Sequence, residues 1–143
     1  MNKCKKTITF AAATTGAVAS KELFNVTGTV LATIIGVCTT NVDMTGAGAT
    51  LSLGTSASVT AFIGATAGDA IDVGEMVGVH TTPPTSIVMS DTIPQWIYCK
   101  DIDLGYAVGT DSLSAGVIDF YCLWYPIVEG STVVPQDTFN QAL

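Results

Sequence analysis

One histidine, four cysteines and twelve carboxylates are the residues of this chain with reactive chemistry to offer. His80 stands alone beside Thr81-Thr82-Pro83-Pro84, so a histidine-rich metal site is excluded. A Ser-His-Asp or Cys-His device would have to use it, yet no Gly-x-Ser-x-Gly elbow accompanies it. It reads as a turn or surface histidine. Cys4, Cys38, Cys99 and Cys122 show no Cys-x-x-Cys spacing, which argues against a cysteine zinc site. Four cysteines allow three disulfide pairings. Cys38 and Cys122 fall inside strand patterns, where a thiol serves as a small apolar core group, so reduced, buried thiols are expected.

The acids offer little more. Asp101-Ile102-Asp103-Leu104-Gly105 has the alternation of a calcium loop but lacks its further acids and closing glutamate. Asp69, Asp72 and Glu75 lie near one loop, but paired-carboxylate glycosidase chemistry needs a cleft with aromatic platforms, which is not evident. Trp96 and Trp124 could form a sugar platform, although aromatics in strands more often serve a core or an interface. Asn25-Val26-Thr27 matches a glycosylation acceptor but sits inside a strand pattern. No glycine-rich loop precedes a helix, so no phosphate cradle is expected. The chain is read as having no catalytic residues, no cofactor and no metal.

The elements that must carry any function are strands. Residues 23–38 alternate, with Phe24, Val26, Gly28, Val30, Ala32, Ile34, Gly36 and Cys38 on one side. This predicts one long strand with a single buried face, bending at Gly28 or Gly36. A first strand is expected over 5–11, followed by a small, flexible stretch over 12–20. Residues 41–48 read as a turn region. Residues 49–54 and 57–64 read as a hairpin about Thr55-Ser56, and 65–72 as a loop. Further strands are expected over 75–80, 86–90, 95–99, 102–108 and 116–128, with a firm break at Pro83-Pro84. In the last of them Ile118, Phe120, Cys122 and Trp124 form the core face. Tyr121, Leu123 and Tyr125 lie opposite and are the best candidates for a subunit contact. Pro126 suits a strand end or an edge. Residues 131–143 read as a loose tail.

Composition agrees. The chain has 143 residues, suited to one domain, and Val, Ile and Thr supply 15, 11 and 21 of them. The fold class expected is all-β: a single-domain β-sandwich, jelly-roll-like, with an extended N-terminal arm over 1–20, a body over 21–130 and a tail over 131–143. Charged residues make up 12%, against about 25% in an ordinary soluble domain. Such a poorly charged skin suits a surface covered by copies of itself or by another protein. Lys3, Lys5, Lys6 and Lys21 give the first 21 residues +4, and the remainder carries −11. Lys3, Lys5 and Lys6 are therefore candidate interface residues for an acidic neighbour. With no arginine and an acidic body, nucleic-acid binding is not expected. The start mimics a secretory signal, but Thr14, Thr15 and Gly16 break its apolar run, so a cleaved leader is not expected. No apolar run reaches the roughly 20 residues of a membrane helix, and no membrane partner is expected.

Several segments recur together in a known group. Leu23-Phe24-Asn25-Val26-Thr27-Gly28-Thr29-Val30, Gly36-Val37-Cys38-Thr39-Thr40, Leu53-Gly54-Thr55, Ala70-Ile71-Asp72-Val73-Gly74-Glu75 and Gly116-Val117-Ile118-Asp119-Phe120-Tyr121-Cys122-Leu123-Trp124-Tyr125-Pro126 follow one another in this order. Over most of residues 7–128 the chain resembles small head-decoration (cement) and auxiliary virion proteins of tailed bacteriophages. The resemblance implies a non-enzymatic β-domain, made in the host cytoplasm, that binds the outer surface of the phage head in many copies. Its expected partners are the major capsid protein and itself, as a dimer or trimer. The alternatives are a phage tail or fibre component, and a secreted carbohydrate-binding β-sandwich.

Overall fold

The computed structural model describes residues 1–78 and 96–136. Its elements are strands β1 (Asn2–Thr9), β2 (Ala19–Thr27), β3 (Thr29–Met44), β4 (Thr50–Thr55), β5 (Ser58–Ala67), β6 (Met76–Val77), β7 (Ile97–Lys100), β8 (Leu104–Gly109), β9 (Leu113–Pro126) and β10 (Thr132–Pro135), with one 3-10 turn at Gly68–Ala70. They form two antiparallel sheets packed face to face, an all-β sandwich. Sheet A runs β1-β9-β3-β6, with β7 also pairing β3; sheet B runs β10-β2-β8-β4-β5. The expected strands over 86–90 and at 79 and 80 of the 75–80 run, the Pro83-Pro84 break, His80, and residues 137–143 lie outside the described residues.

The core is built from the inner faces of both sheets. Ile118, Phe120 and Cys122 of β9 are fully buried, as their alternation predicts, and Ile34 and Ala32 of β3 lie beside them. Leu23, Phe24, Leu51, Leu53 and Leu104 close the core from sheet B. Each such side chain is worth about 1.5–3 kcal/mol relative to exposure. Tyr106 of β8 stacks on Phe120 of β9 at 6.1 Å and meets Phe10 edge-on at 5.8 Å. Its hydroxyl donates to the Thr15 carbonyl at 2.7 Å, which pins the β1–β2 connection to the core.

Four expectations are corrected. Residues 23–38 are not one strand: the chain turns at Gly28, φ +79°, and passes from β2 in sheet B to β3 in sheet A. The alternation survives the corner because both inner faces look into the same core. Gly36 does not bend the strand; a Cβ there would lie 3.0 Å from Ile118 and 3.1 Å from Phe120, so its smallness makes room for the core. The irregularities fall after Cys38 instead, and β3 continues to Met44 through residues expected to turn. Residues 132–135 are not a loose tail. They form β10 on β2, with Val133 buried, and the Gln136 N–H donates to the Leu23 carbonyl at 2.9 Å. The hairpin of β4 and β5 is as expected, its turn held by the Ser58 N–H on Thr55 Oγ1 at 3.1 Å. β5 runs on to Ala67, into part of the expected loop.

Candidate interaction face

The outer face of sheet A brings most of the candidate interface residues together. Cross-strand partners in antiparallel ladders share a face, so the register defines rows across the sheet. Tyr125, Leu31 and Tyr98 form one row across β9, β3 and β7. Lys3, Leu123 and Thr33 form the next, then Lys5, Tyr121 and Ile35. A fourth comprises Thr7, Asp119, Val37 and Met76. Tyr98 is 62% exposed, Met76 45% and Tyr125 42%; Leu31, Ile35, Val37, Tyr121 and Leu123 are half-buried by one another. Trp96 packs against Tyr125 with ring centroids 5.4 Å apart. The middle of the face is thus aliphatic and aromatic, with no charged side chain in the Leu31, Thr33 and Ile35 positions of its central strand.

The charges border this middle: Lys3 and Lys5 on the edge strand β1, Asp119 on β9 and the exposed Lys100 on β7, opposite Thr29. The ammonium groups of Lys3 and Lys5 lie 5.8 Å and 5.6 Å from the Tyr121 ring centroid, a cation–π arrangement. Lys5 also pairs with Asp119 at 2.7 Å, and the Thr7 hydroxyl donates to the same carboxylate. Lys5, then Thr7, holds the Asp119 carboxyl below the usual aspartate range, and Asp119 in turn raises Lys5. Lys6 does not belong to this margin. It faces inward and is only 8% exposed, because strand alternation puts even positions of β1 with Ile8 on the core side.

Leu31, Ile35, Val37, Met76 and Tyr98 complete the face; none of them is an interface candidate from the sequence, where Met76 of the 75–80 strand is expected to point inward, and in the structure Val77 takes the inward position instead. The signal is in the sequence: past Gly28 the odd positions are Thr29, Leu31, Thr33, Ile35 and Val37, so three of five on the second side of β3 are apolar. Thr29 and Thr33 interrupt that second set, so by alternation alone only the even side reads as a buried face.

The other candidate residues have structural employment. Asp101 Oδ1 accepts the Gly28 N–H, and Asp103 accepts Asn25 Nδ2 at 2.6 Å, so the calcium-like acids clamp a sheet corner and the acceptor-motif asparagine. Glu75 Oε2 accepts the Asp72 N–H at 2.9 Å, and the Gly74 N–H donates to the Cys38 carbonyl, docking this loop on β3. Trp124 is 9% exposed and faces the core, so it cannot share a sugar platform with Trp96. All four cysteines are free thiols. Among the described residues no cluster of three or more His, Cys, Asp or Glu side chains could hold a metal ion, and no helix is long and apolar enough to cross a membrane. Comparison with family models, curated proteins and solved structures finds no match to this chain.

Proposed function

We propose that the chain is a non-enzymatic structural protein of a tailed-phage virion, a head-decoration protein that binds the outside of the assembled head. The observation that carries this reading is the outer face of sheet A. It is a broad sheet surface, apolar in its central rows across β9, β3 and β7, with Lys3 and Lys5 along its β1 margin and Lys100 and Asp119 at its two ends. Contiguous apolar patches on a domain of this size mark interaction sites. Tyrosine and tryptophan at the Trp96, Tyr98, Tyr121 and Tyr125 positions are the residue types that dominate interface energetics. The strand order supports the same reading. With β10 set aside as an added edge strand, β1-β9-β3-β6/β7 against β2-β8-β4-β5 is compatible with the nested order of a jelly roll, an architecture common among capsid-associated domains.

The mechanism is additive burial. The apolar rows of sheet A lie on the major capsid protein or on a second or third copy of the chain, and Lys3 meets acidic groups at the rim. One such interface of about 1,600 Å² need not be tight. Copies linked by the symmetry of a shell share the load, and the shell withstands more pressure and heat. β1 is already paired with β9, so the N-terminal strand offers its outer edge for strand addition rather than a free arm.

The test is immunogold labelling of purified particles of the encoding phage, together with binding of the purified chain to particles stripped of it. Label over the head facets, and occupancy reduced at least tenfold by Leu123→Asp with Tyr125→Asp, are expected. Deleting β1 would uncover β9 and is a poor probe; Lys3→Glu tests the rim and lowers occupancy most at low salt. Label confined to the tail, or full occupancy by the double variant, overturns the reading.

A further inference from the structure

Four thiols have no part in the proposed docking, and two of them face each other. Cys4 of β1 and Cys122 of β9 are direct partners in a ladder whose register runs without a shift from Asn2 to Thr9. Both lie on the inner face, Cys122 fully buried and Cys4 partly open at the sheet edge. The phase of the ladder is fixed beyond its end, where the Phe10 N–H donates to the Gly116 carbonyl at 2.9 Å. Counting back by twos from Phe10, Cys4 and Cys122 occupy a hydrogen-bonded pair. Cα atoms in such a pair are about 5.5 Å apart, inside the window of about 4.4–6.8 Å that a disulfide spans. Neither other thiol has this placement. Cys38 pairs with Ile118 and turns its Sγ to the Thr40 carbonyl at 3.1 Å, and Cys99 pairs with Val30.

The geometry points to Cys4 and Cys122 as an oxidisable pair that closes to a cross-strand disulfide within one chain and staples the edge strand β1 to β9. The oxidant class is a low-molecular-weight disulfide. The Cys4 thiolate attacks one of its sulfurs, forming a mixed disulfide and releasing one small thiolate. The Cys122 thiolate then attacks Cys4 Sγ, the protein disulfide forms and the second small thiolate leaves. Two electrons pass to the oxidant, and the two protein thiol protons go to solvent or to the released thiolates. Accessibility sets this order, since Cys4 lies at the edge and Cys122 inside. The acidities agree: a hydrogen bond from the Cys122 thiol holds Cys4 below an ordinary thiol, while that same contact and burial push Cys122 up. The closed bond spans most of the chain and fixes a strand that could otherwise peel from the sheet. This inference stands apart from the virion reading, because the pair needs no capsid.

The experiment treats the folded full chain with oxidised glutathione, then counts thiols and maps peptides by mass spectrometry. Two of the four free thiols are lost, the mass falls by two hydrogens, and one peptide links residues 4 and 122. The melting temperature rises by roughly 5 °C or more, and dithiothreitol reverses both changes. Cys99→Ser still forms the link; Cys4→Ser does not. Retention of all four thiols, a glutathione adduct that stays on Cys4, a link to Cys38 or Cys99, or a link between two chains each overturns the proposal.

Discussion

Asp101 grips Gly28 from both sides: its Oδ1 accepts the Gly28 N–H at 2.6 Å, and its own N–H donates to the Gly28 carbonyl at 2.9 Å. Each residue lies where the chain leaves one sheet for the other, Gly28 between β2 and β3 and Asp101 between β7 and β8. A third crossing joins them, since Ser131, between β9 and β10, accepts the Thr29 N–H on its Oγ at 2.9 Å. The two sheets are therefore tied at one end by a knot of three crossings, and the candidate face of sheet A begins directly beyond it at Leu31.

That knot predicts a sharp response to Gly28→Ala. The residue has φ +79°, and a Cβ would stand 2.6 Å from Ser131 Oγ. Strain and displacement together should cost about 2–3 kcal/mol in denaturant unfolding. Asp101 has φ 47°, a conformation that Asp and Asn tolerate best. Asp101→Asn keeps that tolerance and an acceptor oxygen, so it should lose less than Asp101→Ala, which should lose about 1–2 kcal/mol. Equal losses for Asn and Ala would show that a neutral acceptor oxygen does not replace the carboxylate at this corner.

Tyr106→Phe isolates the tie at the opposite end. The ring stacking on Phe120 is retained, and only the 2.7 Å bond to the Thr15 carbonyl is lost. Leaving that buried acceptor unpaired should cost about 1–2 kcal/mol. Burial also drives the Tyr106 hydroxyl far above the ordinary tyrosine range. Ultraviolet titration of the native protein should therefore show one tyrosine that ionises only with unfolding, and the Phe variant should lack that step.

The Lys5–Asp119 pair should reveal itself through acid and salt. Asp119's folded-state proton affinity is lowered, first by Lys5 and then by Thr7. Its stabilisation is thus present above the unfolded aspartate value of 3.8 and lost as pH falls through the lower folded value. Asp119→Asn should flatten that acid limb of the stability curve. The difference between variant and wild type should shrink as salt rises toward about 1 M, because the pair is open to solvent. A difference independent of salt would assign the effect to the Thr7 hydrogen bond instead.

The strand content and the core of β9 were legible because period-two alternation reports burial directly: Ile118, Phe120 and Cys122 are all fully buried. The same signal could not place the corner at Gly28. Alternation registers which side faces the core, and in a sandwich both sheets face the same core, so the phase passes through a turn undisturbed. β10 is four residues long, too short for a pattern, and is held by pairing with a strand more than a hundred residues earlier. Half of the candidate face was legible in Tyr121, Leu123 and Tyr125. The rest depended on which strands lie beside β9, a fact of topology that local sequence does not carry. Lys6 shows the converse: charge suggested the surface, whereas its even position on β1 placed it inside.

Glu22 offers the clearest pH experiment. It lies on β2 opposite Gly105, just before the register shift at Phe24, with Asp103 and Lys6 as its charged neighbours. Its Oε2 is buried, and the Asp103 carboxylate is close enough to share a proton with the Glu22 side chain. Burial first, then repulsion from Asp103, raises its proton affinity above the ordinary glutamate value of 4.5, against an opposing pull from Lys6. Because the folded value is raised, the favourable contribution is complete below 4.5 and is lost as pH climbs through the folded value. Glu22→Gln resembles the protonated carboxyl and has no proton to lose. Its stability should fall less than wild type as pH rises from the ordinary glutamate value of 4.5 through the raised folded value. Lys6→Met should act in the opposite sense, since removing the cation lets burial and Asp103 raise Glu22 further and steepens the loss. Denaturant midpoints across this range, with parallel slopes for wild type and Glu22→Gln, would exclude Glu22 as the titrating group; opposite slope changes in the two variants would assign the pH dependence to the Lys6, Glu22 and Asp103 contact between the sheets.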